Sequence, residues 1–193
     1  MPYEQKNFDA LLGTKGLSDT LLKNHFTLYQ GYVTNTNKVS DALSSLFKEG
    51  KAATPEHAEL KRRFGWEWNG MRLHELYFGN MIKGGKPIDK NSNLSKKITA
   101  DFGSYEDWVK DFKATGTMRG IGWVVLYHDA ASGHLFNTWI NEHDVGHLSG
   151  ATPLLIMDVF EHAYMVDYGL KKADYIEAFF NAIDWIAVGA RLK

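Results

Sequence analysis

Asp158-Val-Phe-Glu-His162 is a segment with clear capacity for chemistry. It follows the apolar run 154–157, so an ionisable carboxylate stands at the end of what reads as a buried strand. Burying a carboxylate is costly unless it is paired or bound to a metal. A histidine four residues on, in the turn or helix start after the strand, can converge on the same point. An Asp N-cap beside a packed His accounts for this spacing equally well. His25 and His74 are the next candidates, one among Leu21, Leu22 and Phe26, the other among Leu73, Tyr77 and Phe78. If those apolar faces pack together, both imidazoles enter one core and need polar partners, and a metal ion is one answer. Tyr32 lies seven residues after His25, nearly two helical turns, and shares its face. By spacing alone Tyr32 reads as a core aromatic. His57, His128, His134 and His147 lie beside polar or turn-like sequence and read as ordinary histidines.

The elements that must position these side chains are legible from periodicity and punctuation. Residues 17–48 read as a helix with Ser18 as N-cap and Gly50 as its stop, and with an apolar face through Leu21, Phe26, Tyr29, Val33, Leu43 and Phe47. Thr54-Pro55 opens a second helix expected to run to about residue 82. Two long helices with a short link read as an antiparallel hairpin. Gly84-Gly85-Lys86-Pro87 is the clearest linker, and a domain boundary is expected there: residues 1–86 as a helical hairpin and 87–193 as an α+β domain. Helices are expected at 94–102 and 104–117, the second with a Ser104-x-x-Asp107 cap. Residues 122–128, 135–140 and 153–157 read as a small three-stranded antiparallel sheet, and helix returns at 173–182 and 184–193. The fold class is α+β.

Composition narrows the chemistry. The chain has 193 residues, with 22 Lys and Arg against 23 Asp and Glu, a net charge of −1 that gives no support for nucleic-acid binding. It contains no cysteine, so a metal site must draw on His, carboxylate and water. No apolar stretch approaches the roughly 20 residues that span a bilayer, and the N-terminus lacks the pattern of a signal peptide. No membrane association and a cytoplasmic location are therefore expected.

His25-Phe26, Tyr32-Val33 with Asn35, His74-Glu-Leu-Tyr-Phe78, Gly120-Ile-Gly122-Trp123 and Asp158-Val-Phe-Glu-His-Ala-Tyr164 occur in an order that resembles the iron/manganese superoxide dismutases. The resemblance covers nearly the full length, and Asp-x-x-Glu-His-Ala-Tyr is a specific signature. It implies one Fe or Mn ion per subunit, an enzyme active with either included, ligated by His25, His74, Asp158 and His162, with solvent as fifth ligand. It implies conversion of two superoxide anions to O₂ and hydrogen peroxide as the metal alternates between +2 and +3 states. Protons would pass through a gate built from a Tyr, here Tyr32, and a Gln or His. Some members place a Gln four residues before the second His, where this chain has Gly70; the family register then assigns the partner to His143. Trp123, Tyr77, Phe78 and Trp185 are expected to line an apolar wall that restricts access. Glu161 is implied to cross to the ligand His of a second subunit, which gives an expected homodimer, with a tetramer left open.

Three positions depart from the family pattern. Many relatives carry one more residue, and a second His, between the positions of His25 and Tyr32. An ungapped pairing would put Asn24 at the first ligand, but the flanking residues favour a gap and His25; relatives would hold the extra residue in a π-type bulge that this helix lacks. Met165 replaces a common Tyr at the dimer gateway, and Phe160 replaces the commoner Trp between the last two ligands.

Overall fold

The structure, a computed structural model, describes residues 2–192. Its order is α1 (Asp19–Lys48), α2 (Pro55–Phe78), α3 (Asn93–Phe102), α4 (Tyr105–Thr117), β1 (Gly122–Asp129), β2 (His134–Asn141), β3 (Thr152–Asp158), α5 (Met165–Tyr168), α6 (Lys172–Ala182) and α7 (Trp185–Gly189). The strands form one antiparallel sheet in the order β2-β1-β3.

Helix α1 starts where its cap dictates. The Ser18 hydroxyl accepts from Leu21 N–H at 3.0 Å and donates to Asp167, which ties the helix start to α5. The helix runs unbroken as regular α-helix for 30 residues and ends at Glu49, with Gly50 at φ +72°. Its buried stripe is Leu21, Leu22, His25, Phe26, Tyr29, Val33, Thr36, Leu43 and Leu46. Phe47, expected on that face, is instead 70% exposed, because Leu46 occupies the inward position of the last turn. The Thr54 hydroxyl caps α2 by accepting from His57 N–H, with Pro55 in the first turn. This helix stops at Phe78, four residues short of the expected end. Asp184 N–H takes the Asn80 carbonyl and Ile82 N–H takes that of Ala182, so residues 80–82 pair with the chain before α7. Helix α7 in turn covers only 185–189 of the expected 184–193, and Lys193 lies outside the described residues.

Strand β1 is the centre of the second half. Gly122 to His128 are all buried, so both sheet faces are covered. Trp108 and Phe112 of α4, each fully buried, close part of that cover, and the Trp108 indole donates to Asn137 of β2 at 3.0 Å. The sheet register sets the site: Trp123 at the start of β1 is paired with Asp158 at the end of β3, and the neighbouring Gly122 is paired with Asn141. The loop after β2 therefore starts beside Asp158.

Gly122 is required by this pairing. It sits at φ +153°, and a Cβ there would fall 2.0 Å from the Ile140 carbonyl oxygen. Gly122→Ala should lower stability by about 3 kcal/mol through strain and steric overlap. Urea unfolding would show an unchanged midpoint if the strand can shift to accept the methyl group.

Candidate metal centre

Four elements deliver the site. His25 comes from the buried stripe of α1, His74 from the facing stripe of α2, Asp158 from the end of β3, and His162 from the 3-10 turn Glu161–Ala163 that follows. One potential ligand atom from each lies within 4.8 Å of every other. The arrangement centres on Asp158 Oδ2, which has the Nε2 atoms of His25 at 3.1 Å, His162 at 3.2 Å and His74 at 3.7 Å. Donors bound to one ion at about 2.1 Å, with angles of about 90–120° between them, stand about 3.0–3.7 Å apart. The observed separations are those edges.

Second contacts aim the donors. His74 Nδ1–H donates to the Gly70 carbonyl at 2.6 Å, which fixes the tautomer and leaves the Nε2 lone pair facing the centre, buried and without a hydrogen-bond partner among the described residues. Asp158 Oδ1 accepts from Phe160 N–H at 2.8 Å, and the Asp158 carbonyl accepts from the Tyr175 hydroxyl at 2.7 Å. Asp158, His25 and His74 are buried, while the His162 side chain keeps 26% of its exposure. Burial alone would raise the Asp158 carboxyl pKa, but the charge of His162 and hydrogen bonds from His162 and His25 outweigh it and hold the group well below the usual carboxylate range. Burial lowers His25 and His74 against the pull of Asp158, so both favour the neutral form that ligates metals. The Nε2 atoms of His25 and His162 and the unpartnered Nε2 of His74 crowd one buried carboxylate oxygen, and a cation at that point would satisfy them together. The residues fit a divalent or trivalent metal ion.

Tyr32 and His143 meet beside this cluster. Trp123 Nε1–H donates to His143 Nδ1 at 3.0 Å; an indole can only donate, so the neutral imidazole carries its proton on Nε2. That Nε2–H reaches Tyr32 Oη at 2.7 Å. The Tyr32 ring stacks on His74 at 5.1 Å and lies so close to Gly70 that a Cβ there would meet it at 2.5 Å. Gly70 is thus the space in which Tyr32 sits. Burial, with the charges of Asp158 and Glu67, raises the Tyr32 phenol and keeps it protonated.

The expected wall is partly redrawn. Trp123, Tyr77 and Phe78 stand against the cluster, with Tyr77 at 5.2 Å and Phe78 at 5.0 Å from His25. Trp185 does not: it packs on Tyr105 and Trp108, because α7 runs along the opposite aromatic group. Two rings take a place that the sequence reading did not assign. Phe160 is stacked between His143 and His162 at 4.9 and 5.2 Å, and Trp66 meets His143 edge-on at 4.6 Å. Trp66 is eight residues before His74 on α2, a helical spacing that could have flagged it. Asn24 is exposed on α1 and His25 is buried in the cluster, which decides the gap between them. Glu161 is exposed on the same turn as His162.

The sequence is similar to known proteins along nearly its whole length. The family model described as iron/manganese superoxide dismutases, C-terminal domain, matches residues 90–191. A manganese superoxide dismutase of Haloferax volcanii is 35% identical over all of this chain and 93% of its own length. Iron superoxide dismutases of Aquifex pyrophilus and Cupriavidus metallidurans are each 36% identical, over 93% and 91% of this chain and 85% and 88% of theirs. With the matched model covering more than half the sequence and relatives aligned along nearly all of it, the chain belongs to the iron/manganese superoxide dismutase family.

Proposed function

We propose that the chain converts superoxide to O₂ and hydrogen peroxide at one Fe or Mn ion held by His25, His74, Asp158 and His162. The observation that carries this reading is the convergence of three Nε2 atoms on Asp158 Oδ2 at coordination-edge distances. Fe or Mn bound there supplies a one-electron couple between the +2 and +3 states.

The chain's own residues control charge and protons. Asp158 would contribute the one carboxylate charge of the ligand set, and an anionic ligand favours the oxidised ion. Peroxide formation consumes two protons, and Tyr32 is the group placed to hand one over: it accepts from His143 Nε2–H, so its own hydroxyl proton is free to point away from the imidazole. Trp123 holds the His143 tautomer that this requires. Phe160 and Trp66 pack on His143, and Tyr77 on His25, so aromatic rings flank the cluster on these sides.

The remaining assignments are part of the same proposal. The division into 1–86 and 87–193 is supported by the matched C-terminal segment starting at 90. A homodimer is supported by the exposed Glu161, Met165 and Val166 beside the part-exposed His162; a tetramer is the alternative association. No described helix is long and apolar enough to cross a membrane, and we assign the protein to the cytoplasm as an antioxidant enzyme.

Protein reconstituted separately with Fe and with Mn should bind about one ion per subunit and dismutate superoxide with at least one of them. Stoichiometric metal without activity in both forms would overturn the reading. His162→Ala should lose metal and activity together, and retention of both would remove His162 from the ligands. His143→Leu should keep its metal and lose turnover by about 10- to 100-fold, as removal of outer hydrogen-bond partners does; an unchanged rate would exclude it from the proton path.

Stability should also report His143. Burial lowers its pKa from 6.5 to about 4, so between those values the unfolded chain binds a proton that the folded one refuses. Stability present above pH 6.5 is therefore lost as pH falls towards 4, by about 1.4 kcal/mol per pH unit from this group. In His143→Leu the acid limb of stability against pH should be shallower by one proton, and superimposable limbs would contradict the assignment.

A further inference from the structure

Trp123 fixes the ring of His143, but the backbone that carries the ring lies outside the sheet, in the segment between β2 and β3. Its start is tied by the Asn141–Val145 bridge, at 2.7 and 3.4 Å, and by Glu142 N–H to the Ile121 carbonyl at 3.3 Å. Glu142 itself sits at φ +47°, the one non-glycine residue with positive φ among the described residues. A strained turn of this kind persists where its surroundings over-determine it.

His147 supplies a further tie. Its Nε2 lies 2.9 Å from the His143 carbonyl oxygen and its Nδ1 lies 3.0 Å from the Tyr127 hydroxyl. A carbonyl only accepts, so Nε2 carries the proton and donates, while Nδ1 accepts from Tyr127. Tyr127 is a buried residue of the central strand β1. The chain of contacts therefore runs from the most buried strand, through one imidazole, to the peptide of the residue whose other end meets Tyr32. Tyr127 and His147 both line an open cleft of about 570 Å³, and the two hydrogen bonds cross beside it.

We propose that His147, oriented by Tyr127, is a positioning residue for dismutation: it holds the His143 peptide so that Nε2–H stays on Tyr32. The proposal rests on His143 and Tyr32 as the proton path. His147 touches neither the metal ligands' donor atoms nor Tyr32, and it acts through the backbone of His143 alone.

The test compares the full-length protein and its variants, each loaded with the same metal, by steady-state kinetics, metal content and hydrogen–deuterium exchange over 141–147. His147→Ala should keep its metal, lose about tenfold in kcat with little change in KM, and exchange faster over that segment. His147→Gln, whose amide N–H reaches the same carbonyl, should recover most of the rate, which general loss of packing would not allow. Tyr127→Phe should lose about threefold, and it carries the test if His147→Ala fails to fold. On a His143→Leu background His147→Ala should add no further loss, because the two act as one unit. A wild-type kcat in His147→Ala, no recovery in His147→Gln, or a full repeat of the loss in the double variant would each overturn the proposal. If His143→Leu is lowered while His147→Ala is not, the positioning role fails alone; if His143→Leu keeps full rate, the proton path fails and takes this role with it.

Discussion

The structure depends on one buried negative charge. Asp158 ends a strand inside the protein, where an uncompensated carboxylate would cost several kcal/mol. Three imidazoles, the peptide N–H of Phe160 and the hydroxyl of Tyr175 are arranged around this residue. They come from α1, α2, the turn after β3 and α6, so the charge gathers both halves of the chain. A cation bound there would balance the carboxylate and take up the buried, unpartnered His74 Nε2. Asp158 is therefore also a meeting point between the helical hairpin and the sheet.

Around that centre each polar group is aimed by a partner of fixed chemistry. The Gly70 carbonyl can only accept, which sets His74; the Trp123 indole can only donate, which sets His143. Neither depends on a mobile proton, so the tautomers are determined by the fold. Tyr32 then receives rather than donates within the pair. The direction of the hydrogen bond from His143 to Tyr32 thus originates in Trp123, a group with a single possible role.

Much of this was legible in the sequence, because caps and apolar spacing are local signals. Ser18, Thr54 and Ser104 cap the helices they were expected to cap. The four chemistry-bearing residues stood out by burial logic, and the family resemblance placed them in one site. Tertiary effects hid the rest. Helix α2 stops early because Asn80 and Ile82 find partners a hundred residues later, and no local residue announces that. Trp185 was placed at the site by its aromatic character, whereas the short α7 commits it to Trp108. His147 looked ordinary because its two partners, Tyr127 and the His143 carbonyl, are joined to it only by the loop's return to β1.

The seven-residue interval from His25 to Tyr32 has a consequence for how this chain can change. On an unbroken α-helix it spans about 10.5 Å and returns the side chain to within about 20° of its starting direction. The interval works as a ruler with an angular setting as well as a length. One inserted residue would swing Tyr32 by about 100° and carry it off Gly70, His74 and His143 together. An insertion in this interval therefore keeps Tyr32 in place only if the helix's local winding changes with it.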